Sequence, residues 1–444
     1  MAERRDALLK GFDENRFFMR TTVERNIAAH RKGRMRLRLM DAEGRPLSGA
    51  QVAVDQMEHD FNFGCNIFLL DEMETEEKNL QYREKFREIF NYAIVPFYWK
   101  DLEPERGKPR YAADSYKVYR RPAPDLALEY CDENWLRRKG HCLIYHSFTP
   151  LWMPEDVPTQ KRLTEEHLRE VAGRYAGRIQ DWDVENENLC SLHFDRFRLY
   201  EEPDYLEWCF TAADRAFTGG NRLFINEASF IWNERVRNGH MGVRSPYYMQ
   251  IARLLAAGKR VDCIGMQFHQ FIRKEDEMRE DSLPFDPVKL YEVMDCYARF
   301  GRPLHVSEIT IPAYEGSPEE EDVQMELTKN LYRTWFSHPA MDGIIWWNLV
   351  DGYAVGAPRN TRGGENYYSG GLLRYDMAEK PAYAALRELV QKEWHTKEAL
   401  CTNERGEVEF EGFFGEYALK VNGLDAGRFH LARASRPEKE IRLQ

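Results

Sequence analysis

The sequence of 444 residues has no long basic run, and it has no apolar stretch of the ~18 residues that a membrane span requires. Lysine and arginine number 63 against 74 aspartate and glutamate residues, which gives a net charge of −11. Nucleic acids and anionic membranes bind clusters of positive charge. We therefore expect no nucleic acid and no membrane among the partners of this protein.

Cysteine is scarce and scattered: the eight residues include no C-x-x-C pair, and several lie within apolar runs. This pattern is typical of buried, reduced thiols and not of a zinc site or a disulfide framework. No spaced cluster of histidine and cysteine indicates a metal site, so we expect neither a metal nor a cofactor. The first residues are charged and lack the apolar stretch of a signal peptide, which predicts a cytoplasmic protein. No feature of the sequence indicates the oligomeric state.

Apolar residues are abundant. They make up 43% of the sequence, and 13% of all residues are aromatic, which excludes a disordered protein. Eight short apolar runs are continuous instead of alternating with polar residues; they are 61–68, 92–99, 140–146, 179–184, 222–225, 263–268, 304–309 and 343–349. Continuous runs of this length are typical of parallel strands that are buried on both faces.

Helix-period stretches separate the apolar runs. After Ser317, for example, apolar residues recur at every fourth position from Val323 to Trp335, and Pro318 suits the first helical turn. We expect Ser317 to cap this helix and Glu320 to complete a capping box. Eight successive strand–helix units predict an α/β protein of the (β/α)8, or TIM-barrel, class.

The two ends of the chain have a different pattern. Residues 1–32 are predicted to form a helical segment. Residues 33–57 and 395–444 contain alternating segments typical of half-buried strands, divided by turn residues. Neither piece is long enough to form a core of its own. We therefore predict that the two pieces pair as one small β-sandwich beside a barrel formed by residues 58–394.

Functional side chains of such barrels lie at the carboxyl ends of the strands. The predicted strand ends carry carboxylates, amides, histidines and aromatic rings; they include Tyr145, Glu185, Asn186, Glu187, Asn226, Glu227, Gln267, His269, Glu308, Trp347 and Asp351. Amides and acids bind hydroxyl groups and aromatic faces stack on sugar rings, so this set suits a neutral polyhydroxylated substrate. Glu187 and Glu308 end the fourth and seventh strands, across the barrel mouth from each other. Two carboxyls on either side of a glycosidic bond are the minimum apparatus for its hydrolysis.

Several of these strands carry motifs in the order of a known family. Residues 182–187 (W-D-V-E-N-E) resemble the W-D-V-x-N-E motif of glycoside hydrolase family 10, the xylanase family. Further similarities are 140–146 (G-H-C-L-I-Y-H), 265–269 (G-M-Q-F-H), 305–309 (H-V-S-E-I) and 347–351 (W-N-L-V-D), with structural matches at 102–108 and 380–383. Together they cover most of the predicted barrel.

The resemblance implies that a β-linked glycan is hydrolysed with retention of configuration, by double displacement. Glu187 would be the general acid and then the base, and Glu308 would be the nucleophile, with the two carboxyls about 5–5.5 Å apart. Asn186 would bind the 2-hydroxyl of the reacting sugar. His269 would orient Glu308, with Gln267 beside it.

The resemblance also places His141 and Trp347 around the sugar at the cleavage point. Adjacent residues of a strand point to opposite faces, so Trp346 is expected to pack in the core while Trp347 faces the site. Tyr145 stands where the family has a tryptophan. Packing and sugar stacking are equally compatible with it.

The sequence departs from the family upstream of the cleavage point. The family's E-N-x-x-K partners correspond to Ile94, Val95 and Tyr98, so the polar groups that hold the upstream sugars are missing. Thr310 stands where the family has an aspartate after the nucleophile. Losing hydroxyl-binding groups changes substrate selectivity, so the reaction is better supported than the identity of the glycan.

The leading hypothesis is an endo-1,4-β-xylanase-like hydrolase that acts on xylan-derived oligosaccharides. One alternative is a retaining β-glycosidase with a different or exo specificity for another β-linked or decorated glycan. The other alternative is a carbohydrate-binding barrel without turnover, which the presence of both Glu187 and Glu308 disfavours. Strand-end acids are often members of structural ion pairs, which is the alternative role for Glu187 and Glu308. We expect Glu185 and Glu227 to support the neighbouring site residues or the structure, and Asp351 to be structural.

Overall fold

The computed structural model describes residues 2–190, 196–233, 242–277, 284–433 and 438–443. Its α-helices are α1 (Ala2–Glu14), α2 (Arg16–Phe18), α3 (Glu24–Arg31), α4 (Glu76–Ile89), α5 (Trp99–Leu102), α6 (Pro124–Glu133), α7 (Val157–Tyr175), α8 (Tyr205–Ala216), α9 (Pro246–Ala256), α10 (Lys274–Glu277), α11 (Pro287–Ala298), α12 (Pro318–Ser337) and α13 (Pro381–Glu388). Within these residues, no helix combines the length and the apolar character of a membrane-spanning segment.

The strands include a closed barrel and two smaller sheets. In chain order they are β1 (Lys32–Met40), β2 (Gln51–His59), β3 (Asn62–Asn66), β4 (Tyr92–Pro96), β5 (Arg137–His141), β6 (Asp181–Asn186), β7 (Arg222–Glu227), β8 (Cys263–Met266), β9 (Phe268–His269), β10 (Leu304–Thr310), β11 (Met341–Trp346), β12 (Lys397–Cys401), β13 (Glu407–Phe413), β14 (Gly415–Val421), β15 (Leu424–Leu431) and β16 (Glu438–Arg442). Strands β3 to β11 are parallel and form the barrel. β8 and β9 share the sixth place, because both pair with β10, and β11 pairs with β10 and β3. The predicted (β/α)8 barrel is confirmed.

The third barrel strand, β5, begins and ends earlier than the apolar run at 140–146 predicts. Its first three residues are charged, so an apolar-run criterion misses them. The Arg137 guanidinium donates to backbone carbonyls, and Lys139 forms a buried ion pair with Asp183. Beyond the end of β5, the N–H groups of Leu143 and Ile144 still donate to carbonyls of β6. The chain therefore runs beside β6 as far as the barrel mouth.

In helix α12, the cap at the first turn is set by the local sequence, whereas the partners of Glu320 are set by tertiary contacts. Ser317 Oγ accepts a hydrogen bond from the N–H of Glu320 at 3.4 Å, as the predicted cap requires. The apolar stripe from Val323 to Trp335 is buried. The Glu320 carboxylate forms ion pairs with Arg4 and Lys274 instead of turning back to Ser317. The predicted capping box is wrong, because cations from α1 and α10 supply stronger partners than a backbone N–H.

The N- and C-terminal strands form two sheets together. β1 lies between β13 and β16, whereas β2 lies between β12 and β14, with β15 at the edge. The inner faces share a buried core that includes Leu37, Leu39, Val52, Val54, Tyr417 and Leu419. The central strands β1 and β2 alternate buried and exposed residues over much of their length, so each needs a second sheet to cover one face. The predicted sandwich of terminal strands is present.

Candidate active site

The two glutamates reach the same barrel mouth from opposite sides. Glu308 lies within β10, and Glu187 follows β6 directly, with a left-handed backbone (φ 56°). Successive strand residues point to opposite faces, yet both Asn186 and Glu187 have partners in the mouth. The left-handed residue breaks the alternation and turns the second side chain inward. Such a conformation is uncommon outside glycine and persists only where its surroundings hold it; here the Glu187 N–H donates to the Asn226 carbonyl at 3.0 Å.

Gln267 joins the two carboxylates. Its Nε2 lies 2.9 Å from Oε1 of Glu187 and 3.1 Å from Oε1 of Glu308, so these two oxygens are within about 6 Å of each other. Retaining glycosidases hold their two carboxyls about 5–5.5 Å apart, whereas inverting enzymes leave about 6.5–9.5 Å for a water molecule. The upper limit for these two oxygens lies below the range of the inverting enzymes.

Glu308 is almost fully buried, and donors hold both of its oxygens. Asn226 Nδ2 donates to Oε1 at 2.9 Å, and His269 Nε2 lies 2.9 Å from Oε2. The other ring nitrogen of His269 lies 2.9 Å from the Thr310 hydroxyl. With the imidazole proton on Nε2, His269 donates to the carboxylate and accepts from Thr310. This arrangement fixes the orientation of the Glu308 side chain.

Asn226 connects Glu308 with Asn186. Its Nδ2 also donates to Oδ1 of Asn186 at 2.7 Å, and its own Oδ1 accepts from the Ser307 hydroxyl. Because an amide that accepts through oxygen presents nitrogen on its other side, this contact orients the Asn186 amide with its donor group away from Asn226.

Glu187 is half-buried, and it has a second donor besides Gln267. The Tyr145 hydroxyl donates to Oε2 of Glu187. Burial and the charge of Glu187 raise the pKa of Tyr145, so the hydroxyl remains a donor at neutral pH. Tyr145 is therefore a hydrogen-bond donor to Glu187. This role differs from both roles that the sequence analysis considers for it, packing and sugar stacking.

His141 belongs to a buried chain of polar groups. Its Nδ1 lies 2.7 Å from Asp183 and its Nε2 lies 3.0 Å from the Tyr98 hydroxyl. Burial acts to raise the pKa of Asp183, but Lys139 and His141 together hold it below its usual value. An ionised Asp183 fixes the proton of His141 on Nδ1, so Nε2 accepts from Tyr98. His141 is therefore held rigidly at the mouth.

The two adjacent tryptophans separate as the strand geometry predicts. The Trp347 ring contacts those of His141 and His269 edge to face, with ring centres 5.6 and 5.7 Å away. The Trp346 indole is fully buried and donates to the Gly370 carbonyl. Only Trp347 therefore belongs to the mouth.

The upstream side of the mouth is built differently from the family pattern. Ile94 and Val95 are buried and apolar. The Arg121 guanidinium lies over the Tyr98 ring, 4.1 Å from its centre, and pairs with Asp101. Arg120 Nη2 donates to the Asn348 side chain at 2.7 Å. Both arginines lie in the connection between α5 and α6, and both are buried.

Two further acids lie beneath Glu187. Burial raises the pKa of Glu227 to about 8, against the effect of the N–H groups of Leu189 and Ala228, which donate to it. Burial, and then the charge of Glu187, raise the pKa of Glu185 well above its usual value. The Nδ1 atom of His146 lies 3.6 Å from Oε1 of Glu185. Glu227 accepts hydrogen bonds from the backbone that follows Glu187.

All eight predicted site residues gather at this mouth. Six are linked by hydrogen bonds around the two carboxylates: Asn186, Glu187, Tyr145, Gln267, His269 and Glu308. His141 and Trp347 join them through ring contacts.

The sequence analysis did not identify Asn226 as the residue that connects Glu308 with Asn186, although Asn226 ends a predicted strand. It also did not identify Arg120 and Arg121, because they do not lie at the end of a predicted strand. Across the described ranges, no cluster of three or more histidine, cysteine or acidic side chains is arranged to hold a metal ion.

A comparison with known protein families identifies a matching family. The sequence model of glycosyl hydrolase family 10 matches residues 56–389. Anti-sigma-I factor RsgI6 of Acetivibrio thermocellus is 22% identical over 405 residues, covering 90% of this chain and 46% of that protein. Endo-1,4-beta-xylanase 5 of Arabidopsis thaliana is 24% identical over 351 residues, covering 77% of this chain and 54% of that protein. The chain thus spans about half the length of these curated relatives.

Solved structures agree on the fold. Xylanase 10B from Thermotoga petrophila RKU-1 in complex with xylobiose aligns with a TM-score of 0.57 and 21% identity. The alignment covers 75% of this chain and 95% of that one. At this identity the similarity bears on the barrel architecture alone.

Proposed function

The chain belongs to glycosyl hydrolase family 10, and from that premise we propose that it is a retaining glycoside hydrolase that cleaves β-1,4-xylosidic bonds in xylan-derived oligosaccharides. The substrate class is supported by the relative named endo-1,4-beta-xylanase and by the aligned xylanase that binds xylobiose. The observation that carries the proposed reaction is the pair Glu187 and Glu308, which Gln267 joins within bonding range of one sugar.

In the first step, a carboxylate oxygen of Glu308 attacks the anomeric carbon of the bound sugar. Glu187 gives its proton to the glycosidic oxygen, the bond between that oxygen and the anomeric carbon breaks, and a glycosyl ester forms on Glu308. Asn226 and His269 hold the nucleophile in one orientation, so little freedom is lost when it attacks.

In the second step, Glu187 is ionised and takes a proton from a water molecule. The water oxygen attacks the anomeric carbon from the side that the leaving group vacated, and the Glu308 carboxylate departs. Two inversions give net retention. Tyr145 donates to the second oxygen of Glu187 and so keeps this residue in place through both steps.

Asn186 and Trp347 are the proposed contacts of the reacting sugar. Asn186 presents its amide donor because Asn226 occupies its oxygen, and the 2-hydroxyl is the proposed acceptor. The Trp347 ring offers an apolar surface beside His141. Hydroxyl bonds that strengthen as the sugar distorts lower the barrier more than they strengthen binding.

A second candidate is a retaining hydrolase of the same mechanism for a decorated or different β-linked glycan. The upstream positions favour it, because Ile94 and Val95 are buried apolar residues where the family has polar partners for the sugar. Losing hydroxyl-binding groups changes substrate selectivity, so a decorated oligosaccharide, for example one that carries a uronic acid, is the specific alternative.

The test uses aryl β-xylobioside, aryl β-xyloside and aryl β-glucoside, together with neutral and uronic-acid-decorated xylo-oligosaccharides. We expect release from the xylobioside, with the β-anomer appearing first in ¹H NMR spectra. Preference for decorated oligosaccharides would support the second candidate. Absence of release from every glycoside would leave a carbohydrate-binding barrel.

The nucleophile has its own test. Glu308→Ala is expected to lose turnover, and added azide is expected to give the inverted α-glycosyl azide, since the small anion fits the space of the missing carboxylate. Glu398→Ala, on the exposed strand β12, is the matched control. Unchanged activity of Glu308→Ala would remove this residue from the mechanism.

A further inference from the structure

A second polar cleft lies at the opposite end of the barrel from the active site. It has a volume of about 730 Å³. First residues of several barrel strands line it, among them Tyr92, Asp181 and Arg222. Strands of five or six residues separate this end from the active-site mouth, a distance of roughly 16–20 Å. Trp135 stands at the edge of this cleft with 74% of its surface exposed.

Trp135 occupies a backbone position that suits glycine. The N–H of Leu136 donates to the Cys131 carbonyl at 2.9 Å and the N–H of Trp135 lies 3.5 Å from the Asp132 carbonyl, which is the hydrogen-bond pattern of a Schellman helix ending. Trp135 has φ 58°, the left-handed conformation that glycine adopts without strain. Leu136 and Cys131 are buried below the turn and anchor it. Neither the turn nor the core requires an indole here.

Fixed charges lie beside this exposed ring. Asp132 forms ion pairs with Arg138 at 2.5 Å and with Arg178 at 2.9 Å, and all three residues line the same cleft. Carboxylates accept from hydroxyl pairs, guanidinium groups donate to hydroxyl and ring oxygens, and a flat indole covers the apolar face of a pyranose. Because the turn and the ion pairs already hold these groups, little freedom would be lost on binding.

We propose that Trp135 and the adjacent cleft form a second carbohydrate-binding site, remote from the site of cleavage. The choice of glycan rests on the proposed function: the site would hold a segment of xylan, the polymer from which the proposed oligosaccharide substrates derive. Binding at two places on one polymer raises the effective concentration of chain near the active site. Small substrates that reach only the active site would gain nothing from it.

The test is native affinity electrophoresis in gels that contain soluble xylan or, as a second probe, mixed-linkage β-glucan. Trp135→Gly removes the ring and suits the left-handed turn, so we expect it to fold. Trp135→Phe keeps a ring, and Phe17→Ala removes a comparably exposed aromatic ring (73%) elsewhere. We expect at least a threefold loss of affinity in Trp135→Gly alone, with kcat/KM on aryl β-xylobioside within twofold of the wild type.

Three results would overturn the second site. They are a wild-type protein that neither gel retards, a Trp135→Gly variant that is retarded as strongly as the wild type, and a fall in solution mass of that variant by light scattering. The last would make the indole a contact between copies of the chain. Failure of the proposed function is distinguishable, because it would abolish release from aryl glycosides and leave the Trp135-dependent retardation in place.

Discussion

The Tyr145 hydroxyl donates a hydrogen bond to Oε2 of Glu187 at 2.5 Å. Tyr145 follows β5 and Glu187 follows β6, so this contact ties the proposed acid to the neighbouring barrel strand. Gln267 donates to the other oxygen of Glu187 at 2.9 Å. The carboxyl is therefore held by two donors that are far apart in the chain.

Removing the Tyr145 hydroxyl is expected to slow the step that needs a proton from Glu187. A hydrogen bond to a charged group contributes about 1.5–3 kcal/mol, so Tyr145→Phe should lower kcat/KM by roughly 10- to 100-fold. Aryl glycosides with poor leaving groups should lose most, since they depend on the acid. Kinetics across a series of leaving groups measures this, with Tyr116→Phe on the exposed surface as control. Equal losses across the series would contradict the assignment.

The role of the Asn226 amide, which donates to both Glu308 and Asn186, can be tested by substitution. Asn226→Asp keeps the shape but replaces the donor to Glu308 and Asn186 with a carboxylate, 2.9 Å from the Glu308 oxygen. Like charges at this distance repel, so we expect kcat to fall at least 100-fold, and further than in Asn226→Ala. The kinetic constants of both variants are compared with their melting temperatures. An Asp variant as active as the Ala variant would contradict the expected repulsion between residue 226 and Glu308.

Glu227 gives a pH dependence with a defined sign. Its pKa is raised from 4.5 to about 8, so between these values the unfolded chain has lost the proton that the folded chain keeps. The unfolded state then binds fewer protons, and the free energy of unfolding falls as the pH rises. Glu227→Gln lacks this titration, so its stability relative to the wild type should rise from pH 5 to 8, by up to about 1.4 kcal/mol per pH unit.

Urea unfolding at pH 5, 6.5 and 8 measures the difference between Glu227→Gln and the wild type. Glu398→Gln, at an exposed position of β12, should show the wild-type pH dependence. Parallel curves for the wild type and Glu227→Gln would mean that Glu227 is ionised in the folded protein at neutral pH.

Gly140 tests the packing beneath the site. A Cβ atom at this position would lie 2.2 Å from Cζ3 of Trp182, which is fully buried. Gly140→Ala is expected to destabilise the fold by about 1–3 kcal/mol, because a packed core yields little. Gly173→Ala, in helix α7 with open space around it, should be neutral or stabilising. Thermal unfolding of both variants decides this, and equal melting temperatures would show that the Trp182 ring moves aside.

Much of the fold was predictable because its signals are local. Continuous apolar runs, helix periodicity and strand alternation follow from which faces each element buries. The prediction failed where charged side chains start a strand, as in β5, and where a distant cation outcompeted a local cap, as Arg4 does at Glu320. In both cases the deciding partner is far away in the sequence.

By itself, the sequence determined the barrel and the placing of Glu187 and Glu308 at strand ends, because alternation and strand order put those side chains at one mouth. Only the tertiary structure decided which groups hold them: Gln267 and Asn226 donate to the carboxylates, and Arg121 lies over the Tyr98 ring upstream. Hydrogen bonds act over about 3 Å between residues far apart in the chain, so no local pattern specifies them.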